Sequence, residues 1–146
     1  MNETPVSDVP VDDKPVNDAP VIVVTAVIVT DTAGRMLTVR KRGTRLFMNP
    51  GGKPEPGETP DVTGARELGE EVGLDVDPAE LELVGQWVTA AANEAGHELR
   101  STVYRLPRPI AHELTVAAEI AELRWLAPDE NPDDLAPLLR ELRSVV

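Results

Sequence analysis

The sequence contains no cysteine, and aromatic residues make up only 3% of it. The absence of cysteine excludes disulfide bonds, thiolate metal sites and cysteine nucleophiles. The scarcity of aromatic residues means that a core must be built from aliphatic side chains. The longest apolar run, at residues 21–29, is too short to span a bilayer, and the N-terminus does not resemble a signal peptide. We therefore expect a cytoplasmic protein with no membrane partner.

Positive charge is also scarce, since 14 Lys and Arg residues face 26 Asp and Glu residues and the net charge is -12. A nucleic-acid polymer is not an expected partner, because such polymers usually bind to basic surfaces. One window between Asp31 and Glu55 has no acidic residue and holds Arg35, Arg40, Lys41, Arg42, Arg45 and Lys53. This window is typical of a solvated strand edge protected from aggregation, and equally of a site for a small anion such as a phosphate chain. The two interpretations are compatible.

The composition changes near residue 20. Residues 1–19 form an imperfect five-residue repeat of Pro, Val and Asp, which predicts an extended or disordered tail. Residues 20–146 are long enough for one domain with its own core. The tail carries no chemistry of its own, and its exchange between two subunits would produce a homodimer.

The domain predicts strands grouped around one internal and one terminal helix. The internal helix is expected to begin at Pro60, with Thr59 as N-cap, and to end at Gly73. The terminal helix is expected over residues 134–145. Predicted strands lie at residues 21–30, 36–41, 82–92, 97–106 and 120–126, with a hairpin between the third and the fourth. This order indicates an α+β fold with a mixed sheet between helices.

The acidic residues are concentrated in one segment, GGKPEPGETPDVTGARELGEEVGL at residues 51–74. In the predicted helix Glu67, Glu70 and Glu71 share one face, where like charges cost roughly 0.2–0.5 kcal/mol per pair. Either solvent tolerates this crowding or a cation binds among the carboxylates. Magnesium is a hard cation that prefers oxygen ligands, and it would relieve the repulsion.

The spacing in this segment is specific. Gly52 is followed by five residues, Glu58, seven residues and then REL-GEEVGL at residues 66–74. This resembles the signature of the Nudix hydrolases, G-x5-E-x7-R-E-U-x-E-E-x-G-U with U a bulky aliphatic, at every specified position. We call residues 52–74 the box. The resemblance implies a Nudix-type α/β/α sandwich and hydrolysis of a nucleoside diphosphate linked to another group X, with Mg²⁺ or alternatively Mn²⁺ as cofactor.

The resemblance also implies roles for individual residues. The cation would be held by Glu67, Glu70, Glu71 and the carbonyl group of Gly51. Arg66 would form an orienting ion pair with Glu58.

A carboxylate must also accept a proton from the attacking water. The family uses either a box glutamate or an acidic residue of a later loop. Glu119 lies six residues before Trp125, and the resemblance makes it the best late candidate, because MutT-type enzymes have an acidic residue at that spacing; Glu122 competes with it.

Residues that grip the substrate are indicated less specifically. Arg40, Arg42 and Lys53 are candidates for binding phosphates. Four aromatic residues could stack on a base, although each also suits a core, namely Phe47, Trp87, Tyr104 and Trp125. Of these we take Phe47 as the candidate. Asn131 is a candidate for reading a purine edge, with an N-cap of the last helix as the simpler alternative.

The box does not identify the substrate. Markers of ADP-ribose pyrophosphatases and of dinucleoside polyphosphate hydrolases are missing, which favours a nucleoside triphosphate, including an oxidised or otherwise damaged one. ADP-ribose or another nucleotide sugar is the alternative substrate. The alternative function is that of a non-catalytic nucleotide-binding sensor or interaction domain.

Overall fold

The computed structural model describes residues 20–145. Its two helices are α1 (Pro60–Val72) and α2 (Pro137–Leu142), and a short 3₁₀ helix covers Pro78–Glu80. Its six strands are β1 (Val21–Ile28), β2 (Met36–Lys41), β3 (Gly51–Gly52), β4 (Glu82–Ala90), β5 (Glu98–Arg105) and β6 (Ile120–Leu126). The predicted tail at residues 1–19 and its exchange in a homodimer lie outside the described residues. In the described part, no helix has the length and hydropathy needed to cross a bilayer.

The main sheet has four strands in the order β3-β1-β5-β4. Strands β1 and β5 run parallel, whereas β3 and β4 pair antiparallel with their neighbours. Strands β2 and β6 form a second, antiparallel sheet. The predicted mixed sheet and the β4–β5 hairpin are therefore confirmed.

Strand β1 shows why the sheet lies between two helices. Successive side chains of a strand point to opposite faces, and Val27 belongs to the core cluster that contains Leu68 of α1. Its neighbour Ile28 belongs to the other cluster, which contains Leu139 of α2. A single strand thus contributes to both cores, and the predicted α/β/α sandwich is confirmed.

Helix α1 begins and ends as its sequence predicts. Pro60 occupies the first turn, and Gly73 ends the helix with a φ of 69° while donating its N–H to the Gly69 carbonyl. Thr59 lies at the N-cap position, but its hydroxyl donates to Asp61 Oδ1 at 2.5 Å and does not cap the backbone. Between these ends the helix buries its predicted apolar stripe, Ala65, Leu68 and Val72.

Helix α2 is shorter than predicted, and the prediction that it begins at residue 134 was wrong. Asp134 accepts two hydrogen bonds of 3.0 Å from Arg124. Leu135 pairs in a parallel bridge with Phe47, which holds this stretch extended. The helix begins at Pro137 with Ala136 as N-cap, so the alternative role of Asn131 as N-cap was wrong as well.

Candidate active site

The two glycines of β3 bring backbone and carboxylates together. Gly51 has a φ of 153°, and a Cβ there would collide with the carbonyl oxygen of Thr25 on β1. A Cβ on Gly52 would meet the carboxylate of Glu67. The N–H of Gly51 donates to Glu71 Oε1 at 3.1 Å. A larger side chain at residue 51 would therefore separate β3 from β1, and one at residue 52 would displace the Glu67 carboxylate.

Arg66 connects the loop of the box with its helix. Its Nε donates to Glu58 Oε2 at 2.6 Å and its Nη2 to Glu58 Oε1 at 2.9 Å, so the predicted ion pair is present. Its Nη1 donates to Glu67 at 3.2 Å and to Glu70 at 3.1 Å. Its Nη2 also donates to the Lys53 carbonyl at 3.0 Å. One guanidinium group thus organises three of the box carboxylates.

Glu58 is held from several directions. Besides Arg66, the N–H of Glu55 donates to it at 2.8 Å and the hydroxyl of Thr63 at 2.9 Å. These hydrogen bonds, led by those from Arg66, lower the pKa of Glu58 to about 2. Glu58 therefore stays ionised across the physiological pH range and serves to orient Arg66.

The three predicted cation ligands have different environments. Glu71 is 1% exposed, and burial raises its pKa to about 8, with the charges of Glu67 and Glu119 adding to the shift and the N–H of Gly51 opposing it. Burial also raises the pKa of Glu67, whose side chain is 13% exposed. Glu70 is 56% exposed. Two of the carboxylates are therefore held where an ionised group is unfavourable without a counter-charge.

The oxygen atoms of these carboxylates and of the glycine backbone are of the chemical type that binds a hard divalent cation. Glu67 and Glu71 interact electrostatically, and both lie against the Gly51–Gly52 backbone. Carboxylate and carbonyl oxygens are the ligands that Mg²⁺ and Mn²⁺ prefer. Within residues 20–145, however, no three acidic or histidine side chains converge on a single cation position. Arg66 Nη1 bridges Glu67 Oε2 and Glu70 Oε1, and the other oxygen of each carboxylate accepts no hydrogen bond from Arg66.

A cavity of about 620 Å³ is lined by Glu67 and Glu70. Together with Glu58 and Glu71, which contact the lining residues Arg66 and Gly51, we call them the carboxylate wall. Three residues of the basic window line the cavity, Lys41, Arg42 and Lys53. The other three form ion pairs elsewhere. Arg35 pairs with Asp31 at 2.7 Å, Arg40 with Glu122 at 3.0 Å and Arg45 with Asp133 at 3.8 Å. The window is thus divided between the cavity and surface ion pairs.

The loop before β6 reaches the same cavity. Glu119 is exposed and lines it, and its charge contributes to the raised pKa of Glu71. The backbone of this loop is tied down, because Arg42 N–H donates to the Glu119 carbonyl at 2.9 Å and Ala117 N–H to the Glu71 carbonyl at 2.9 Å. Glu122 is paired with Arg40 and does not line the cavity. The geometry favours Glu119 over Glu122 as the late carboxylate.

Three predicted substrate-binding residues lie away from the cavity. Phe47 is 2% exposed, and the Arg124 guanidinium carbon lies 3.7 Å from its ring centroid, so it cannot stack on a base. Arg40 donates to Glu122 and to the Thr44 carbonyl instead. Asn131 is exposed outside the cavity. These predictions are corrected, because the side chains are committed to the core, to an ion pair or to another surface.

The cavity also has an aliphatic part of its lining, which was not predicted from the sequence. This part includes Ile22, Val24, Met48, Leu99, Leu138 and Leu139, which come from β1, β5, α2 and the segment before β3. None of the chain's aromatic residues, one Phe, one Tyr and two Trp, lines the cavity. Asn49, a buried amide in the same wall, was also missed. Its only signal in the sequence is a polar residue between apolar Phe-Met and the glycine loop.

A model of the NUDIX domain family matches residues 20–144. The chain is 30% identical over 103 residues to a MutT-like protein from Streptomyces ambofaciens, a match that covers 70% of this chain and 62% of that protein. It is 35% identical over 120 residues to an isopentenyl-diphosphate Delta-isomerase from Nocardia farcinica (strain IFM 10152), covering 73% and 63%. The chain therefore spans less than two thirds of the length of these relatives.

The fold is similar to the crystal structure of a MutT protein from Methanosarcina mazei Go1. The two share a TM-score of 0.73 and 19% sequence identity, and the match covers 88% of this chain and 94% of the other. At that identity the similarity shows the fold alone, so any activity must be argued from the site itself.

Proposed function

This chain belongs to the Nudix family, and from that premise we propose that it is a divalent-metal-dependent pyrophosphohydrolase. Its substrate is a nucleoside diphosphate linked to another group X, and we favour a nucleoside triphosphate, including an oxidised or damaged one. One observation carries the proposal. Glu67 lines a cavity together with Lys41, Arg42 and Lys53, and the buried Glu71 accepts a hydrogen bond from Gly51, which lines the same cavity.

The carboxylates are suited to bind a cation. Magnesium or manganese, held by Glu67, Glu70, Glu71 and the Gly51 carbonyl, would neutralise charge on the phosphates and lower the pKa of a bound water. Glu71 is protonated near neutral pH while no counter-charge is present, because burial raises its pKa to about 8. Cation binding would therefore release a proton from this carboxyl group and become tighter as the pH rises.

The remaining residues of the site position the substrate and accept a proton. Lys41, Arg42 and Lys53 present positive charge to the phosphate chain from the cavity wall. Arg66 and Glu58 keep the box loop against α1, so the carboxylates stay oriented. Glu119 lines the cavity on a loop that is tied to Arg42, and it is our candidate for the carboxylate that takes the proton of the attacking water. A box glutamate is the competing candidate.

One observation favours a second candidate function. Arg66 shares its single positive charge among Glu58, Glu67 and Glu70, so the site has a partial counter-charge of its own in the absence of a cation. A nucleotide-binding sensor or interaction domain would need only the cavity and its basic residues. The complete set of box carboxylates favours the hydrolase, because binding alone does not require them.

The test is release of phosphate or pyrophosphate over a panel of candidate substrates. The panel contains nucleoside triphosphates, nucleotide sugars, ADP-ribose and dinucleoside polyphosphates, with isopentenyl diphosphate as an arm suggested by the isomerase relative. Each is assayed with Mg²⁺ or Mn²⁺ and with EDTA. Metal-dependent release that Glu71→Gln abolishes would support the hydrolase, and the fastest substrate would identify X. Binding of nucleotide with no release of any product would favour the sensor instead.

A further inference from the structure

Asn49 is a buried amide without an adequate partner. The residue is 6% exposed, and its Oδ1 atom has no hydrogen-bond partner. Its Nδ2 atom donates only to the sulfur of Met36 at 3.5 Å, and a thioether is a weak acceptor. If the amide is turned over, its oxygen and nitrogen exchange places and one end still lacks a partner. Since an unpaired buried polar group destabilises a protein, its presence in this wall calls for a functional explanation.

The backbone around Asn49 is rigid and leads directly to the carboxylates. Met48 exchanges hydrogen bonds of 2.8 and 2.9 Å with Val39, and the Pro50 carbonyl accepts from the N–H of Val27 at 2.9 Å. Gly51, two residues beyond Asn49, donates to Glu71. The backbone that carries Asn49 is therefore fixed relative to the carboxylate wall, as a recognition group requires.

The neighbourhood of Asn49 is aliphatic. Val24, Met48, Leu99 and Leu138 line the same cavity, and none of the aromatic residues does. Residues 1–19 contain no Phe, Tyr or Trp, so the tail has none to add. We call the base or the X group of a substrate its head group. Stacking on an aromatic ring therefore cannot select among head groups here, and directional hydrogen bonds are left to do so. Asn93, the other amide that lines the cavity, is exposed.

We propose that Asn49 determines which base or X group is accepted. Because Oδ1 is enclosed, the side chain turns toward the cavity when substrate binds, and Oδ1 then accepts a hydrogen bond from an N–H or O–H group of the base or of X. The inference rests on the proposed function, because it takes this cavity as the substrate site. The recognised head group carries a hydrogen-bond donor on its edge and packs its faces against aliphatic side chains. A head group without that donor would leave the amide unpaired and would be rejected.

The test compares Asn49→Leu with Gln86→Leu as the matched control, since Gln86 is an amide on β4 that does not line the cavity. For each variant, kcat and KM are measured with Mg²⁺ over nucleoside triphosphates of different bases, ADP-ribose and a nucleotide sugar. We expect Asn49→Leu to raise KM for the best substrate about ten-fold or more and to shrink the ratio between best and worst substrates, with kcat changed less than about three-fold. Gln86→Leu should leave the ratios unchanged.

Thermal unfolding separates recognition from a structural role. Asn49→Leu should keep or raise Tm, because it removes an unpaired polar group from an apolar wall. A lower Tm with unchanged substrate ratios would overturn the assignment, since Asn49 would then be structural. Asn49→Ala makes the same test on the substrate ratios if the leucine does not fit the space.

Binding separates this inference from the hydrolase proposal. The stabilisation of Tm by each panel compound is recorded in EDTA for wild type and variants. In one outcome the protein binds the panel compounds with different affinities, loses this difference in Asn49→Leu, and hydrolyses none of them. That result would support the role of Asn49 in recognition and refute the hydrolase proposal. A wild-type protein that treats all compounds alike in both assays, or responds to none, would overturn the role of Asn49.

Discussion

The two walls of the cavity are built on opposite principles. In the carboxylate wall Glu67 and Glu70 line the cavity, while Glu58 and Glu71 do not line it but contact its lining residues Arg66 and Gly51. Its charges are either joined through Arg66 or buried against the glycine loop. The aliphatic wall has Val24, Leu99 and Leu138, with the unpartnered amide of Asn49 among them.

This contrast separates chemistry from selection. Charge concentrated at one wall can bind a cation and phosphates that are common to many substrates. An apolar wall with one amide can distinguish head groups, because a head group without a hydrogen-bond donor would leave the amide unpaired. Substitutions in the carboxylate wall should therefore lower turnover of every substrate, whereas substitutions in the aliphatic wall should change the relative preference among substrates.

The largest effect should come from the buried carboxylate. Glu71→Gln removes a proposed cation ligand, and we expect kcat/KM to fall by at least about 100-fold for every substrate, since metal-ion catalysis supplies several kcal/mol. Initial rates at saturating Mg²⁺ measure the loss. Glu82→Gln on the exposed start of β4 is the control and should be neutral. Turnover within about three-fold of wild type would show that Glu71 plays no part in catalysis.

Arg66 should be next in magnitude. Arg66→Lys keeps the charge but cannot bond Glu58 through two nitrogen atoms while also reaching Glu67 and Glu70. We expect kcat to fall about 10- to 100-fold, because displaced catalytic groups lose orientation. Arg108→Lys is the matched control, since Arg108 also pairs with a glutamate, Glu80, at an exposed site. Equal kinetics for the two variants would contradict the orienting role of Arg66.

The burial of Glu71 should also appear in stability without any cation. Its folded pKa of about 8 lies above the ordinary value of 4.5, so the folded protein holds a proton that the unfolded chain loses. The stabilisation is fully present below pH 4.5 and declines as the pH rises towards 8. In EDTA, Glu71→Gln should match wild type near pH 5 and exceed it at pH 8 by about 1–3 kcal/mol.

Urea unfolding at several pH values measures this difference. A gap between the two proteins that stayed constant with pH would mean that Glu71 is ionised in the folded protein throughout. Adding Mg²⁺ should stabilise wild type more at pH 8 than at pH 6, because the cation and the proton compete for the same carboxylate.

The smallest effect should come from the aliphatic wall. Leu99→Ala removes part of the apolar contact with the head group, and we expect KM to rise about two- to five-fold with kcat nearly unchanged. Leu83→Ala is the control, because Leu83 is 56% exposed on β4 and does not line the cavity. A fall in kcat as large as that of Arg66→Lys would break the division between the two walls.

The sequence alone determined the carboxylate wall because every part of it is local. The box spans 23 residues, from Gly52 to Leu74, and its spacing places Glu67, Glu70, Glu71 and Arg66 on one helix. The turn at Gly73 and the pair of Glu58 with Arg66 follow from helix geometry and from the reach of one side chain. The mixed sheet could also be predicted, because apolar alternation and turn residues are properties of short segments.

Only the tertiary structure decided which residues outside the box reach the cavity. Phe47 lies near the box in sequence, yet Leu135 and Arg124 draw it into the core. Arg40 turned to Glu122, whereas Lys41 and Arg42 next to it line the cavity. Glu119 and Glu122 are three residues apart, and only Glu119 faces the site.

The physical reason is the range of the interactions involved. Helix spacing and capping act within a few residues and are written in the order of the chain. Burial, choice of ion-pair partner and the lining of a cavity depend on residues that come together only when β1, β5 and α2 pack. Asn49 is the clearest case, because a polar residue before a glycine loop becomes a recognition group only once aliphatic side chains from those three elements surround the same cavity.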